Sequence, residues 1–185
     1  MKLRHLIIAS ALGATAFVPA VTAAADATEA FPAAARNLFA GNYTYAGGEK
    51  QWQARIAAIE KATDSMFFVT RGIARGRIKD STVIRARVGF SFGNGMITVT
   101  MSDILPATSP ESGAAVPYKS GSDTLQLSQK FTADGKLVQS FSASEGKRTN
   151  TYVLSPDGKT LNIFTTITSE KLPQPVSYTL TYVRN

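Results

Sequence analysis

The chain has 185 residues, a formal net charge of +7, one histidine and no cysteine. That length suits about one domain, and the lack of thiols excludes disulfides, Cys-His dyads and thiolate metal sites. His5 falls in a leader-like start, so the remainder has no imidazole for a Ser-His-Asp triad, a haem or a zinc site.

That start reads as a targeting segment. Met1-Lys2-Leu3-Arg4-His5 is basic, Leu6–Val18 is apolar with small residues, and Ala20–Ala25 offers small-x-small cleavage points. The pattern predicts a signal peptide over residues 1–25 and a periplasmic or secreted product. The apolar run is short for a spanning helix. Losing Lys2 and Arg4 takes the charge from +7 to +5. A moderately basic protein favours anionic ligands or an anionic membrane surface. Nucleic acid is not expected, because no dense basic stripe carries interleaved aromatics. A mature chain of about 160 residues buries roughly 70% of its surface and needs no staple. A monomer without a cofactor is expected.

Residues 26–40 form an N-terminal segment, in which Pro32–Phe39 suits a short helix with proline at its first position. Gly41–Tyr45 reads as a strand, ended by Gly47-Gly48. Glu49–Lys79 is a helical insertion. Trp52, Ile56, Ile59, Thr63, Met66, Thr70 and Ile73 recur at steps of three and four, one face of a helix. Arg71-Gly72 is the expected break, with a second short helix over Ile73–Lys79. The β-branched and aromatic content of Met66–Arg71 also permits a strand there.

After Ser81 the period is two. Strands are expected at Thr82–Phe92, Met96–Ser102, Thr124–Phe131, Leu137–Ala143, Lys147–Leu154, Leu161–Thr168 and Val176–Arg184. Gly93-Asn94-Gly95 is a hairpin turn, and Pro156-Asp157-Gly158 suits a type I turn with a bulge. Asp103–Ser122, with three prolines and two glycines, reads as irregular apart from a short edge strand near Val116-Pro117-Tyr118. The expected fold is mainly β: an antiparallel up-and-down β-barrel of eight or nine strands with a helical insertion after the first strand, over residues 41–185. A two-sheet sandwich is the alternative.

No catalytic motif survives inspection. Gly89-Phe90-Ser91-Phe92-Gly93 matches G-x-S-x-G but sits on a strand and turn without a histidine base. Ser144-Glu145-Gly146-Lys147 matches S-x-x-K across a turn, and neither S-D-N nor K-T-G follows. A basic cluster, Arg71, Arg75, Arg77, Lys79, Arg85 and Arg87, is either a rim that attracts anions or a solvated face. Arg148, Asn150, Tyr152 and Leu154 share a strand face, as do Tyr178, Leu180, Tyr182 and Arg184. An arginine with tyrosine hydroxyls on such faces can hold a carboxylate. Arg184 can instead close the barrel end as a cation over an aromatic ring.

A short helix leading into Gly41-Asn42-Tyr43 resembles the start of a lipocalin, where G-x-W stands, and Arg184 resembles the lipocalin arginine that packs on that aromatic. The helix-turn-helix after the first strand resembles the lid of fatty-acid-binding proteins. Their Arg-x-Tyr carboxylate clamp stands here in reverse order as Tyr182-Val183-Arg184. The chain thus resembles the calycin group, which implies a non-enzymatic carrier of a small hydrophobic, anionic ligand. Candidate ligand-binding residues are Trp52, Ile56 and Phe67 on the lid, and Phe90, Phe141, Tyr152, Tyr178, Tyr182 and Arg184 on strands. Two other readings stand beside it. One is a filled barrel that binds or inhibits a protein partner through the Asp103–Ser122 loop and basic rim. The other is an enzyme working with Tyr, Lys or carboxylates.

Overall fold

A computed structural model describes residues 34–185. The predicted signal peptide, the segment after it up to residue 33, and Pro32 lie outside the described residues. Helix α1 (34–39) leads into β1 (Gly41–Tyr45), and two helices follow, α2 (Gly48–Thr63) and α3 (Phe68–Ser81). Then come β2 (Arg87–Gly93), β3 (Met96–Met101), β4 (Ala107–Pro110), β5 (Val116–Ser120), β6 (Asp123–Phe131), β7 (Leu137–Ala143), β8 (Gly146–Leu154), β9 (Thr160–Thr168) and β10 (Val176–Arg184).

The strands form one antiparallel sheet in the order β4-β3-β2-β1-β10-β9-β8-β7-β6-β5. The sheet is an up-and-down meander curled into a nearly closed barrel. It has ten strands, where eight or nine were expected. The difference is β4, within 103–122, where no strand was expected; the edge strand expected near Val116-Pro117-Tyr118 forms as β5. Both are short and proline-bearing, and proline is confined to sheet edges because it donates nothing to a ladder. They are the two edges. The gap between them is bridged by a side chain: Gln129 of β6 donates from Nε2 to the Ile97 carbonyl (2.9 Å), the Ala107 carbonyl (3.2 Å) and Ser109 Oγ (3.1 Å).

The helices are divided differently from expectation. The break falls at residues 64–67, and Arg71 and Gly72 lie within α3. Thr63 turns its hydroxyl back to the Ile59 and Glu60 carbonyls. Arg71 then reaches back with Nε and Nη2 to the Met66 carbonyl, at 3.1 and 2.8 Å. The arginine therefore clamps the turn that precedes its helix. The strand alternative at Met66–Arg71 is not adopted. The expected apolar stripe is only partly buried: Ile59 and Thr63 are covered, but Trp52, Thr70 and Ile73 are exposed. The expected strand at Thr82 begins only at Arg87. The Gly93–Gly95 hairpin forms as read, with Asn94 and Gly95 at φ 51° and 69°.

Because residues opposite one another share a face, the register arranges the inner wall of β6–β10 in rows. One row is Phe131, Leu137, Tyr152, Ile163 and Leu180. The next is Gln129, Gln139, Asn150, Thr165 and Tyr178, and the one beyond is Leu127, Phe141, Arg148, Ile167 and Val176. The first row faces the end closed by α1, and the third faces the end covered by α2 and α3.

Candidate functional site

The two ends differ in their arginines. At the closed end, Phe39, Tyr43, Phe90 and Tyr152 pack edge to face, with ring centroids 5.1–5.8 Å apart. Arg184 lies over the Tyr43 ring, 4.8 Å from its centroid. Its Nε donates to the Gly158 carbonyl (2.9 Å) and Nη1 to the Ala40 carbonyl (2.8 Å). Its Nη2 donates to the Leu38 carbonyl and the Tyr43 hydroxyl. Gly41 makes room for this: its φ is +131°, and a Cβ there would stand 2.9 Å from Arg184 Nη1. Burial raises the Tyr43 phenol above its ordinary pKa, and Arg184 pulls the other way. The glycine, the aromatic two residues on and the late arginine thus form one rivet.

A meandering barrel closed by this rivet, with a helix-turn-helix after its first strand, settles the architecture. It is a nearly closed antiparallel up-and-down barrel with a helical insertion after its first strand.

The middle of the barrel is polar and satisfied. Gln139 donates from Nε2 to Gln129 Oε1 (2.9 Å), and its Oε1 accepts from Asn150 Nδ2 (3.0 Å) and the Tyr152 hydroxyl (2.7 Å). Thr165 Oγ1 donates to Asn150 Oδ1 at 3.0 Å. All five residues are buried. Burial pushes the Tyr152 and Tyr182 phenols well above the ordinary tyrosine pKa. Tyr182 donates to the Arg85 carbonyl at 2.9 Å.

The lidded end carries Arg148, on the inward face of β8. Its Nε donates to Asn150 Oδ1 (3.2 Å) and its Nη1 to the Ser81 carbonyl at the end of α3 (3.0 Å). The guanidinium lies 5.9 Å from the Phe141 ring centroid, and Phe141 packs on Tyr118 at 5.2 Å. Among the described residues no carboxylate pairs with it. Those bonds use two of its five N–H groups, so both hydrogens of Nη2 and one of Nη1 remain at the boundary between lid and barrel.

The nine candidates separate accordingly. Phe90, Tyr152, Tyr178 and Tyr182 are buried in the core, and Phe141 is half-buried between Tyr118 and Arg148. Arg184 has four of its five N–H groups taken up at the closed end. Phe67 is exposed on the turn between the helices. Trp52 and Ile56 line a groove on the outside of the lid. Sequence reasoning set Arg148 aside in favour of Arg184. Its position on one face with Asn150 and Tyr152 was the signal that it points inward. Among the described residues no three His, Cys, Asp or Glu side chains gather to hold a metal.

No protein-family model matches the chain, and no curated protein matches it. Solved structures do. A Schistosoma mansoni fatty acid binding protein in complex with arachidonic acid is 15% identical, with a TM-score of 0.48 over 82% of this chain and 98% of that one. Apo lipid binding protein 8 of Caenorhabditis elegans is 10% identical, with a TM-score of 0.49 over 80% of this chain and 96% of that one. Secretory abundant heat soluble protein 4 of Ramazzottius varieornatus is 12% identical, with a TM-score of 0.48 over 80% of this chain and 94% of that one.

Proposed function

We propose that the protein is an exported carrier that reversibly binds a small hydrophobic molecule with an anionic head at the lidded end of the barrel. The observation that carries this reading is Arg148. A guanidinium facing the barrel interior, against an aromatic pair and without a carboxylate partner, is a receptor for an anionic group. The polar row formed by Gln129, Gln139, Asn150 and Thr165 floors the site. The closed half beneath it is packed, so the ligand occupies the layer between this floor and the lid. Phe141, Leu127 and Ile167 supply apolar wall, and α2 and α3 move to admit the ligand. No reaction is assigned. A fully filled barrel acting on a protein partner is the competing reading, favoured by the packed closed half.

The test is native mass spectrometry of the processed protein, then titration with a long-chain fatty acid. A co-purified mass lost on organic extraction, or saturable uptake, is expected. Arg148→Gln should weaken uptake about tenfold, the loss of one charge-assisted bond. A clean apo mass with no uptake of any fatty acid would overturn the carrier and leave the filled barrel.

A further inference from the structure

A second arginine on the lid lacks an anionic partner, and it is more deeply buried than Arg148. Arg55 of α2 is 4% exposed. Its Nε donates to Thr82 Oγ1 at 3.0 Å and its Nη2 to the Lys79 carbonyl. Thr82, itself buried, passes the chain on by donating to the Ile78 carbonyl at 2.6 Å. Among the described residues, Nη1 has no hydrogen-bond partner and no carboxylate pairs with the guanidinium. Burying a charge without a counter-ion is costly. Its pKa is lowered by that burial, and Tyr178 offsets the loss only in part.

The same arginine lines a groove of about 350 Å³ between α2 and the segment joining α3 to β2. Trp52, Ile56, Val83 and Ile84 form its apolar walls, and Lys79 adds a second cation. Trp52 and Val83 are 43% and 50% exposed, so both walls present apolar surface to solvent. The volume lies in the range of small-molecule sites, which combine apolar walls with a few placed polar groups. Asp80, on the rim, sets the charge of the occupant. It offsets Lys79, so the lining carries one net positive charge, which a single carboxylate neutralises and a phosphate dianion exceeds.

We propose that this groove is a second, external binding site for a small monocarboxylate with a cyclic or short aliphatic body, held by Arg55 and packed against Trp52. The site is separate from Arg148 and does not depend on the carrier reading. Its occupant completes the coordination of Arg55 and bridges α2 to the end of α3, so binding tightens the lid.

The chain has one tryptophan, and it lies in the groove, so its fluorescence reports on this site. The full chain is titrated with cyclohexanecarboxylate, which neither absorbs nor emits where tryptophan does. Saturable change in Trp52 emission is expected, with at least tenfold weaker response to the uncharged cyclohexanemethanol and to the dianion cyclohexyl phosphate. Val83→Glu places a carboxylate beside Arg55 from an exposed position and should abolish the response with the circular dichroism spectrum unchanged. Arg148→Gln should leave the response intact. No saturable change, equal response to the alcohol, or a response lost in Arg148→Gln but kept in Val83→Glu would overturn the proposal. Arg55→Met is the more direct variant. Because Arg55 also ties α2 to α3, Val83→Glu decides the question if Arg55→Met does not fold.

Discussion

Arg184 and Arg148 both point into the barrel from strand faces that read alike in the sequence, and they have opposite situations. Arg184 gives its donors to three backbone carbonyls and a phenol, and its flat face covers Tyr43. Arg148 gives two bonds, to Asn150 and to the end of α3, and meets no carboxylate. Arg184 has four of its five N–H groups engaged within the fold, whereas Arg148 has two engaged and three left over. What separates the two arginines is the count of occupied donors, not residue type or direction.

The largest test of this contrast is alkali. Burial raises the phenols of Tyr43, Tyr45, Tyr152 and Tyr182 above the ordinary tyrosine value of 10.0. A group whose pKa is raised on folding favours the fold fully below its unfolded pKa, and that contribution is lost as pH rises beyond it. Stability should hold to about pH 10 and then collapse, with tyrosinate absorbance appearing together with unfolding. Absorbance that rises smoothly while the fold persists would show the closed half to be open to water. Next comes Arg184→Ala, expected to cost about 3 kcal/mol in urea unfolding, since it orphans carbonyls and uncovers Tyr43. Gln139→Leu should cost about 2 kcal/mol by the same measurement, because Gln129, Asn150 and Tyr152 each lose a partner. Arg148→Gln should change stability by less than about 1 kcal/mol. If Arg148→Gln proved as damaging as Arg184→Ala, the distinction between the two ends would be lost.

Much of the barrel was legible in the chain. Leu137–Ala143 and Val176–Arg184 alternate cleanly between turns, and both strands run over those residues. Gly41, Tyr43 and Arg184 were readable as a closing motif because glycine and aromatic sit two apart. Strand β4 was not. Its inward residues are Ala107 and Ser109, too small to mark an apolar face, and its pairing depends on β3. The lid break was misplaced because Gly72 looks like a helix end, whereas Arg71 reaching back to Met66 makes the turn four residues earlier. The buried row from Gln129 to Thr165 was also hidden. Each of its residues looks like an outward polar position, and only the register across four strands shows them satisfying one another. The choice between Arg184 and Arg148 was out of reach for a related reason. The carbonyls of Leu38, Ala40 and Gly158 that engage Arg184 come from distant parts of the chain.

The seam between β4 and β5 has a consequence for self-association. An unclosed sheet presents two rows of free backbone groups, and such rows recruit further strands from other molecules. Here one row is four residues long and ends at Pro110, and the other is five long with Pro117 and Lys119 within it. Short length, missing donors and a charge each discourage an incoming strand. The gap that gives the barrel two edges also makes them poor templates, so it should resist edge-to-edge polymerisation despite never closing its hydrogen-bonded ring.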